Sequence, residues 1–201
     1  MIRLIAGLVM IMWLSVASAG GDAERGSTLT ATCVACHGDD GNSLAGSFPN
    51  IAGQNEKYLL KQLRDMKSGA RAQNLMVGIV DILSDQDMQD LAAFYAGKTA
   101  SESAADPDLA LQGEHIYRSG IARKGVAACS ACHSPTGQGN DLASFPKLAG
   151  QWAEYTEAQL KAFRVGERHN DGESKMMRLS AMDLSDAEIA AVASYIAGLR
   201  Q

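Results

Sequence analysis

The four cysteines of this chain occur in two copies of one motif. Each copy contains two cysteines separated by two residues and a histidine that follows at once: Cys33, Cys36 and His37 in the first copy, and Cys129, Cys132 and His133 in the second. This spacing is the signature for covalent attachment of a c-type haem. The two thiols add to the vinyl groups of the porphyrin as thioethers, and the histidine becomes an axial ligand of the iron. The sequence therefore predicts two covalently bound haem c groups.

Two other cysteine chemistries compete with haem attachment. In zinc ribbons the cysteine pairs lie about 15 to 20 residues apart, whereas the pairs of this chain are separated by roughly 100 residues. A thioredoxin-like redox pair opens a helix in a βαβ unit, and the chain has no strand-rich pattern. Neither chemistry requires a histidine after each pair, so haem attachment is favoured over both.

The second axial ligand of each iron decides what a haem can do. An iron with an open position binds oxygen species, whereas two protein ligands favour electron transfer, and a methionine ligand raises the reduction potential. Equivalent haems should use equivalent positions of the repeat. Met76 and Met177 coincide in this way, because each lies seven residues before a Leu-Ser-Asp triplet. We expect both in loop context, as partners of His37 and His133 respectively, with Met176 as the alternative ligand in the second half.

The repeat extends well beyond the cysteines. A Gly-rich loop follows each haem motif and ends in a matched heptapeptide, at 48–54 and at 145–151. A ligating histidine commonly donates its other ring N–H to a carbonyl, and the carbonyls of Pro49 and Pro146 are candidate acceptors. A rigid turn without contact to the ligand is the alternative explanation of these prolines.

Apolar residues at helical spacing predict an all-α fold. A helix is expected after each heptapeptide, and the last helix of each half is expected to begin at the Leu-Ser-Asp triplet. Ser185 and Glu188 have the spacing of a capping box at the start of the final helix. The second half also contains extra residues around Arg123 and Lys124, which we interpret as a surface insertion without an assigned function.

The chain opens with a segment typical of a secretory signal peptide. It has a basic start at Arg3, a short apolar run and the exit sequence Ala17-Ser18-Ala19. The apolar run is shorter than the ~20 residues that a membrane-spanning helix needs, so we expect cleavage and export, with an uncleaved anchor as the alternative. The predicted divisions are a signal peptide (1–19), an N-terminal domain (20–97), a polar linker (98–107) and a C-terminal domain (108–201).

Size and charge limit the classes of function. The 201 residues carry a formal charge of −5, which becomes one unit more negative when the segment containing Arg3 is removed. This balance gives no support to nucleic-acid binding, which favours basic patches. Each predicted domain has only about 90 residues, a size at which a polypeptide core is thin. The porphyrin is therefore expected to form part of each core.

These features together make the chain similar to the dihaem cytochrome c4 family over essentially the whole mature length. The resemblance rests on the tandem haem motifs, the Phe-Pro-x-Ile/Leu-Ala-Gly-Gln heptapeptides and the Leu-Ser-Asp helices preceded by methionine. It implies two tandem class I cytochrome c domains, each wrapped around one covalently attached haem c, with His37 and Met76 on one iron and His133 and Met177 on the other. It also implies haem propionates that face one another across a pseudo-twofold interface.

The resemblance further implies periplasmic electron transport. The expected partners are membrane-bound respiratory complexes, namely a cytochrome bc complex and a terminal oxidase, which would exchange single electrons with a monomeric carrier; loose association with the membrane surface stays open. Two other functions also stay open. A dihaem peroxidase needs an open iron position, against which a methionine candidate in each half argues. A non-catalytic haem subunit of a larger dehydrogenase complex is compatible with the sequence but is not specifically supported by it.

Overall fold

The structure is a computed structural model that describes residues 20–200, so the predicted signal peptide lies outside the described residues. The all-α prediction is confirmed, since the described chain folds into nine α-helices, two 3-10 turns and isolated β-bridges. The first half contains α1 (Ala23–Ser27), α2 (Val34–His37), α3 (Glu56–Lys67) and α4 (Asp85–Ala96). The second half contains α5 (Pro107–Ser119), α6 (Ser130–His133), α7 (Ala153–Val165), α8 (Met176–Ala181) and α9 (Asp186–Ala197).

In each half the first helix packs against the last one at a glycine. A Cβ atom added to Gly26 of α1 would lie 2.2 Å from the backbone oxygen of Asp90 in α4, and one added to Gly113 of α5 would lie 2.2 Å from that of Ala191 in α9. Real Cβ atoms do not approach other atoms so closely. Glycine is therefore required at both crossings so that the helix backbones can touch.

The last helix of each half begins at a capping box. Ser185 and Glu188 form the predicted box at the start of α9, and Ser84 and Asp87 form a matching one at α4. Each box satisfies amide groups that the first helical turn leaves without partners. The starts of the two helices are thereby fixed at the same place in the repeat.

The extra segment of the second half is only partly the surface insertion that its sequence predicts. Arg123 is exposed, but Ile121 and Val126 form a short β-bridge and are buried in the apolar core of this half. Between them, Lys124 donates a 2.6 Å hydrogen bond to the carboxylate of Glu188 at the start of α9. The segment therefore links the region before α6 to the last helix.

The apolar core is small in both halves, as the domain size predicts. The buried apolar cluster of the first half consists of Leu59, Leu91, Ala92 and Tyr95. That of the second half is larger and consists of Ile116, Tyr117, Ile121, Val126, Leu184, Ile189, Val192 and Ile196. None of the helices in the described part of the chain has the length and apolar character needed to cross a membrane.

The crossing of α5 and α9 predicts a destabilising effect of Gly113→Ala. The new methyl group would overlap the backbone of Ala191, and inserting an extra carbon into a well-packed contact typically costs about 1–3 kcal/mol. Gly97→Ala is the matched control, because Gly97 has an ordinary helical φ and an added Cβ would lie 3.6 Å from its nearest neighbour, the carbonyl oxygen of Phe94; its effect should stay below about 1 kcal/mol. Denaturant unfolding of the haem-loaded protein measures both. Equal stability of the two variants would contradict the close contact.

The Lys124–Glu188 pair predicts a pH-dependent effect of Lys124→Met. The bond from Lys124, together with bonds from Ser185, lowers the pKa of Glu188 from 4.5 to about 2. A lowered carboxyl pKa stabilises the fold above the ordinary pKa, and this contribution is lost as the pH falls towards the lowered value. The variant should therefore be less stable than the unsubstituted protein near neutral pH, and the difference should shrink between pH 4.5 and 2. Unfolding at a series of pH values tests this, with the exposed Arg123→Met as a control of smaller effect. A difference that is constant with pH would refute the assigned role.

Candidate functional site

The two haem motifs lie on one-turn helices that place their functional side chains on one face. In the first half Cys33 precedes α2 and His37 ends it, so the first cysteine and the histidine stand four residues apart, one helical turn. Cys129 and His133 have the same relation to α6. None of the four cysteines forms a disulfide in the described part of the chain. Residues with positive φ, Gly38 at 76° and Ser134 at 65°, redirect the chain after each histidine.

Both histidines are buried and held by a proline carbonyl. Nδ1 of His37 lies 2.9 Å from the carbonyl oxygen of Pro49, and Nδ1 of His133 lies 3.0 Å from that of Pro146. A carbonyl only accepts hydrogen bonds, so Nδ1 carries the proton and Nε2 keeps its lone pair. Burial lowers the pKa of both imidazoles, and the bonds to Pro49 and Pro146 act in the opposite direction. The neutral imidazole is the form that binds a metal.

The motifs of both halves open into one cavity of about 950 Å³. Its walls include the four cysteines, both motif histidines, both prolines and apolar side chains of α3, α4, α7 and α9. Burial raises the pKa of Cys33, and it raises that of Cys129 to about 11, so these thiols are neutral and suited to apolar thioether bonds. The buried hydroxyl of Tyr95, also on the wall, has no hydrogen-bond partner among the described residues. The thiols, imidazoles and apolar walls fit one haem c in each half.

The methionines predicted as second ligands line this cavity in both halves. Met76 and Met177 are half-buried wall residues, whereas Met176 also reaches the wall but is 46% exposed. Met76 lies in irregular turns, as expected. The expectation of loop context is wrong for Met177, which is the second residue of α8. This helix begins after Lys175, whose φ is 51°, and Arg178 ties it to Asp171 through a 2.7 Å hydrogen bond.

The glutamines that end the two heptapeptides join the halves, a role the sequence reasoning missed. Gln54 accepts a 2.7 Å bond from the backbone N–H of Lys147 and donates a 2.8 Å bond to its carbonyl. Gln151 makes the same two bonds with Asn50, at 2.9 and 2.8 Å. The sequence contains one indication of this role, since glutamine occupies the matched last position of both heptapeptides.

Two buried arginines at matched positions were also missed, because the sequence suggested only polar turns there. Arg71 donates to Gln62 in its own half and to Tyr155 and Gln159 across the interface, at 2.8–3.1 Å. Arg168 reciprocates, since it bonds Gln159 in its own half and Tyr58 and Gln62 in the other. Both guanidinium groups line the cavity, and neither bonds a carboxylate of the described chain. Their charge suits an anionic group between the halves.

Comparison with known proteins identifies the kind of domain that is repeated. The family model described as "Cytochrome c" matches the chain twice, over residues 23–96 and 119–200. These two segments contain the two haem motifs and both methionines. The match therefore agrees with the predicted fold class of two tandem cytochrome c domains.

Curated relatives and a solved structure resemble nearly the whole chain. Cytochrome c4 of Stutzerimonas stutzeri is 48% identical over 207 aligned residues, which cover 98% of this chain and 99% of the relative. Cytochrome c4 of Pseudomonas aeruginosa is also 48% identical, with 98% of each chain covered. The crystal structure of reduced recombinant cytochrome c4 from Pseudomonas stutzeri superposes with a TM-score of 0.88 at 51% identity, over 90% of this chain and 100% of that one.

Proposed function

The chain belongs to the cytochrome c4 family of dihaem electron carriers, and from this premise we propose which residues hold its two haem c groups and between which partners it carries electrons. Each haem supplies an iron that alternates between Fe(III) and Fe(II). The observation that carries the proposal is that the motif cysteines and histidine and the matched methionine of each half line the same cavity. No substrate needs to reach an iron that has two protein ligands, so the chain acts as a carrier and not as an enzyme.

The proposed ligand sets are equivalent in the two halves. In the first, Cys33 and Cys36 form the thioethers, and His37 and Met76 are the axial ligands. In the second, these roles fall to Cys129, Cys132, His133 and Met177. Burial of the neutral imidazoles and the burial of Met177 relative to the more exposed Met176 support the assignment. Two strong protein ligands would make both irons low-spin and would limit rearrangement when an electron arrives or leaves.

The charged and polar residues of the chain complete each site. Arg71 and Arg168 are suited to hold the propionate carboxylates, because they are buried, cationic and free of bonds to protein carboxylates in the described chain. Pro49 and Pro146 orient the axial imidazoles through their carbonyls. These contacts tune the reduction potential through hydrogen bonding and burial.

We assign the carrier to the periplasm, where it would accept single electrons from a cytochrome bc complex and pass them to a terminal oxidase. The cysteine chemistry and the N-terminal segment of the sequence, which suggests export through a cleaved signal peptide, support this location. Redox contacts of this kind are small and short-lived. A monomer that associates only transiently with membrane complexes suits this role.

The ligand assignment predicts opposite outcomes for adjacent methionines. The ferric protein should show a weak far-red methionine-to-iron absorption band at each of two haems, and the reduced protein should not bind carbon monoxide. Met76→Ala and Met177→Ala should each remove one band and open one haem to carbon monoxide, because each removes one axial thioether. Met176→Ala, the matched control, should keep both bands. Loss of a band in Met176→Ala with retention in Met177→Ala would reverse the assignment in the second half.

The carrier function predicts rapid oxidation of the reduced protein by membranes that contain an active terminal oxidase. Stopped-flow spectroscopy of the haem bands measures this, and cyanide, which blocks the oxidase, should abolish it. Hydrogen peroxide should not be turned over, because both irons have two protein ligands. Catalytic peroxide consumption together with failure to react with the membranes would favour the peroxidase alternative. Copurification with a dehydrogenase in fixed stoichiometry would favour the subunit alternative.

A further inference from the structure

One peptide group in the first half bonds to both halves of the molecule. Its carbonyl, that of Pro49, accepts the 2.9 Å hydrogen bond from Nδ1 of His37. Its N–H, that of Asn50, donates a 2.9 Å hydrogen bond to Oε1 of Gln151 in the second half. Because both bonds share one peptide group, the axial imidazole of the first half is connected to a side chain of the other half through a single amide.

The second half contains the reciprocal arrangement. The carbonyl of Pro146 accepts the 3.0 Å hydrogen bond from Nδ1 of His133, and the N–H of the same peptide group, that of Lys147, donates a 2.7 Å bond to Oε1 of Gln54. The two connections are related by the repeat and run in opposite directions across the interface. In both halves the same four groups are connected in the same order: an imidazole, a proline carbonyl, the N–H of that peptide group and a glutamine of the opposite half.

Both glutamines are held rigidly in place. Nε2 of Gln151 donates to the carbonyl of Asn50 at 2.8 Å, and its Oε1 also accepts a 3.0 Å bond from the N–H of Trp152. Gln54 has the corresponding bonds to Lys147 and to Asn55. Both glutamine side chains are buried, so water does not replace these bonds while the interface is closed.

Hydrogen bonds in such a chain strengthen one another. An amide whose N–H donates to an acceptor becomes more polarised, and its carbonyl becomes a stronger acceptor, an effect of about 10–30% per bond. A stronger bond to Nδ1–H makes the imidazole a more basic ligand. A more basic ligand stabilises Fe(III) over Fe(II) and therefore lowers the reduction potential.

We propose that Gln151 and Gln54 are positioning residues that tune the axial imidazole of the opposite half, so that contact between the halves sets the potential of each haem. Gln151 acts on His37 through the Pro49–Asn50 peptide, and Gln54 acts on His133 through the Pro146–Lys147 peptide. This inference rests on the axial roles of the two histidines proposed above.

The test is a crossed pattern of reduction potentials in the haem-loaded protein. Gln151→Met keeps the volume of the side chain but removes its acceptor, so the midpoint of the haem bound by His37 should shift positively while that of the other haem stays in place. Gln54→Met should produce the mirror result at the haem bound by His133. Spectroelectrochemical titration gives the two midpoints, and NMR assignment of the haem resonances tells which is which.

A second readout reports the hydrogen bond itself. In the reduced, diamagnetic protein the Nδ1–H proton of each axial histidine gives a separate NMR resonance, which moves upfield when its hydrogen bond weakens. The resonance of His37 should move upfield in Gln151→Met, and that of His133 should move in Gln54→Met. A purely structural role of the glutamines would not select the histidine of the opposite half.

Two further variants separate tuning from loosening of the interface. Asn55→Leu removes a 2.7 Å bond across the interface to the carbonyl of Phe145. It leaves intact the hydrogen bonds of both glutamines to the backbone of the opposite half, so the two haem midpoints of this variant should not show the crossed shift. Gln151→Glu keeps an acceptor oxygen for the N–H of Asn50, so the midpoint of the haem bound by His37 should not rise. This variant tests the proposal if Gln151→Met fails to fold.

Three results would overturn the proposal. They are equal shifts at both haems that match Asn55→Leu, no shift in either glutamine variant, and a positive shift in Gln151→Glu as large as that in Gln151→Met. Failure of the underlying function would look different. It would appear in the unsubstituted protein as missing methionine bands, whereas failure of the tuning proposal would leave that spectrum unchanged.

Discussion

The hydrogen bond between each buried imidazole and a proline carbonyl is the interaction on which the rest of the architecture depends. The one-turn helices α2 and α6 fix the positions of the cysteines and histidines along the chain, but they do not fix the rotation of the imidazole rings. The carbonyls of Pro49 and Pro146 do so, at 2.9 and 3.0 Å. The loops after the motifs must therefore return to the histidines, and the positive φ angles after each motif begin that return.

The small apolar cores explain why the two halves depend on the groups that fill the cavity between them. The first half has a buried apolar cluster of four residues, anchored by Leu91 and Tyr95, too few to stabilise a domain of this size by burial alone. Glycine contacts between the terminal helices draw the backbones together, and apolar side chains of α3, α4, α7 and α9 line the shared cavity instead of packing against protein. We propose that the porphyrins complete each core, and that the buried Arg71 and Arg168 are suited by their positive charge to the two carboxylates of a porphyrin.

The haem motifs, the all-α class and the capping box of α9 were predictable because each depends on local spacing. Internal repetition also singles out the methionine pair, which stays a prediction, since a repeat allows Met76 and Met177 to be compared with positions that cannot ligate. The roles of Gln54 and Gln151 were not predictable in this way, because a glutamine that bonds another half's backbone has the same local sequence as one that faces water. Helix α8 was missed for a related reason: its cap at Lys175 depends on backbone geometry and on Asp171, not on a sequence signal. The burial of Ile121 and Val126 likewise depends on tertiary packing.

The interface between the halves also constrains the order in which the protein folds. Its hydrogen bonds join residues that are 83 to 110 positions apart, as in Asn55 with Gln138 and Tyr58 with Arg168. Contacts over such separations form late in folding, because the intervening chain must be ordered first. The cavity walls come from both halves, so the cavity that the two cysteine pairs line is complete only when the halves are docked. The closed interface is therefore expected to form after the local structure of each half, as one of the last steps of folding.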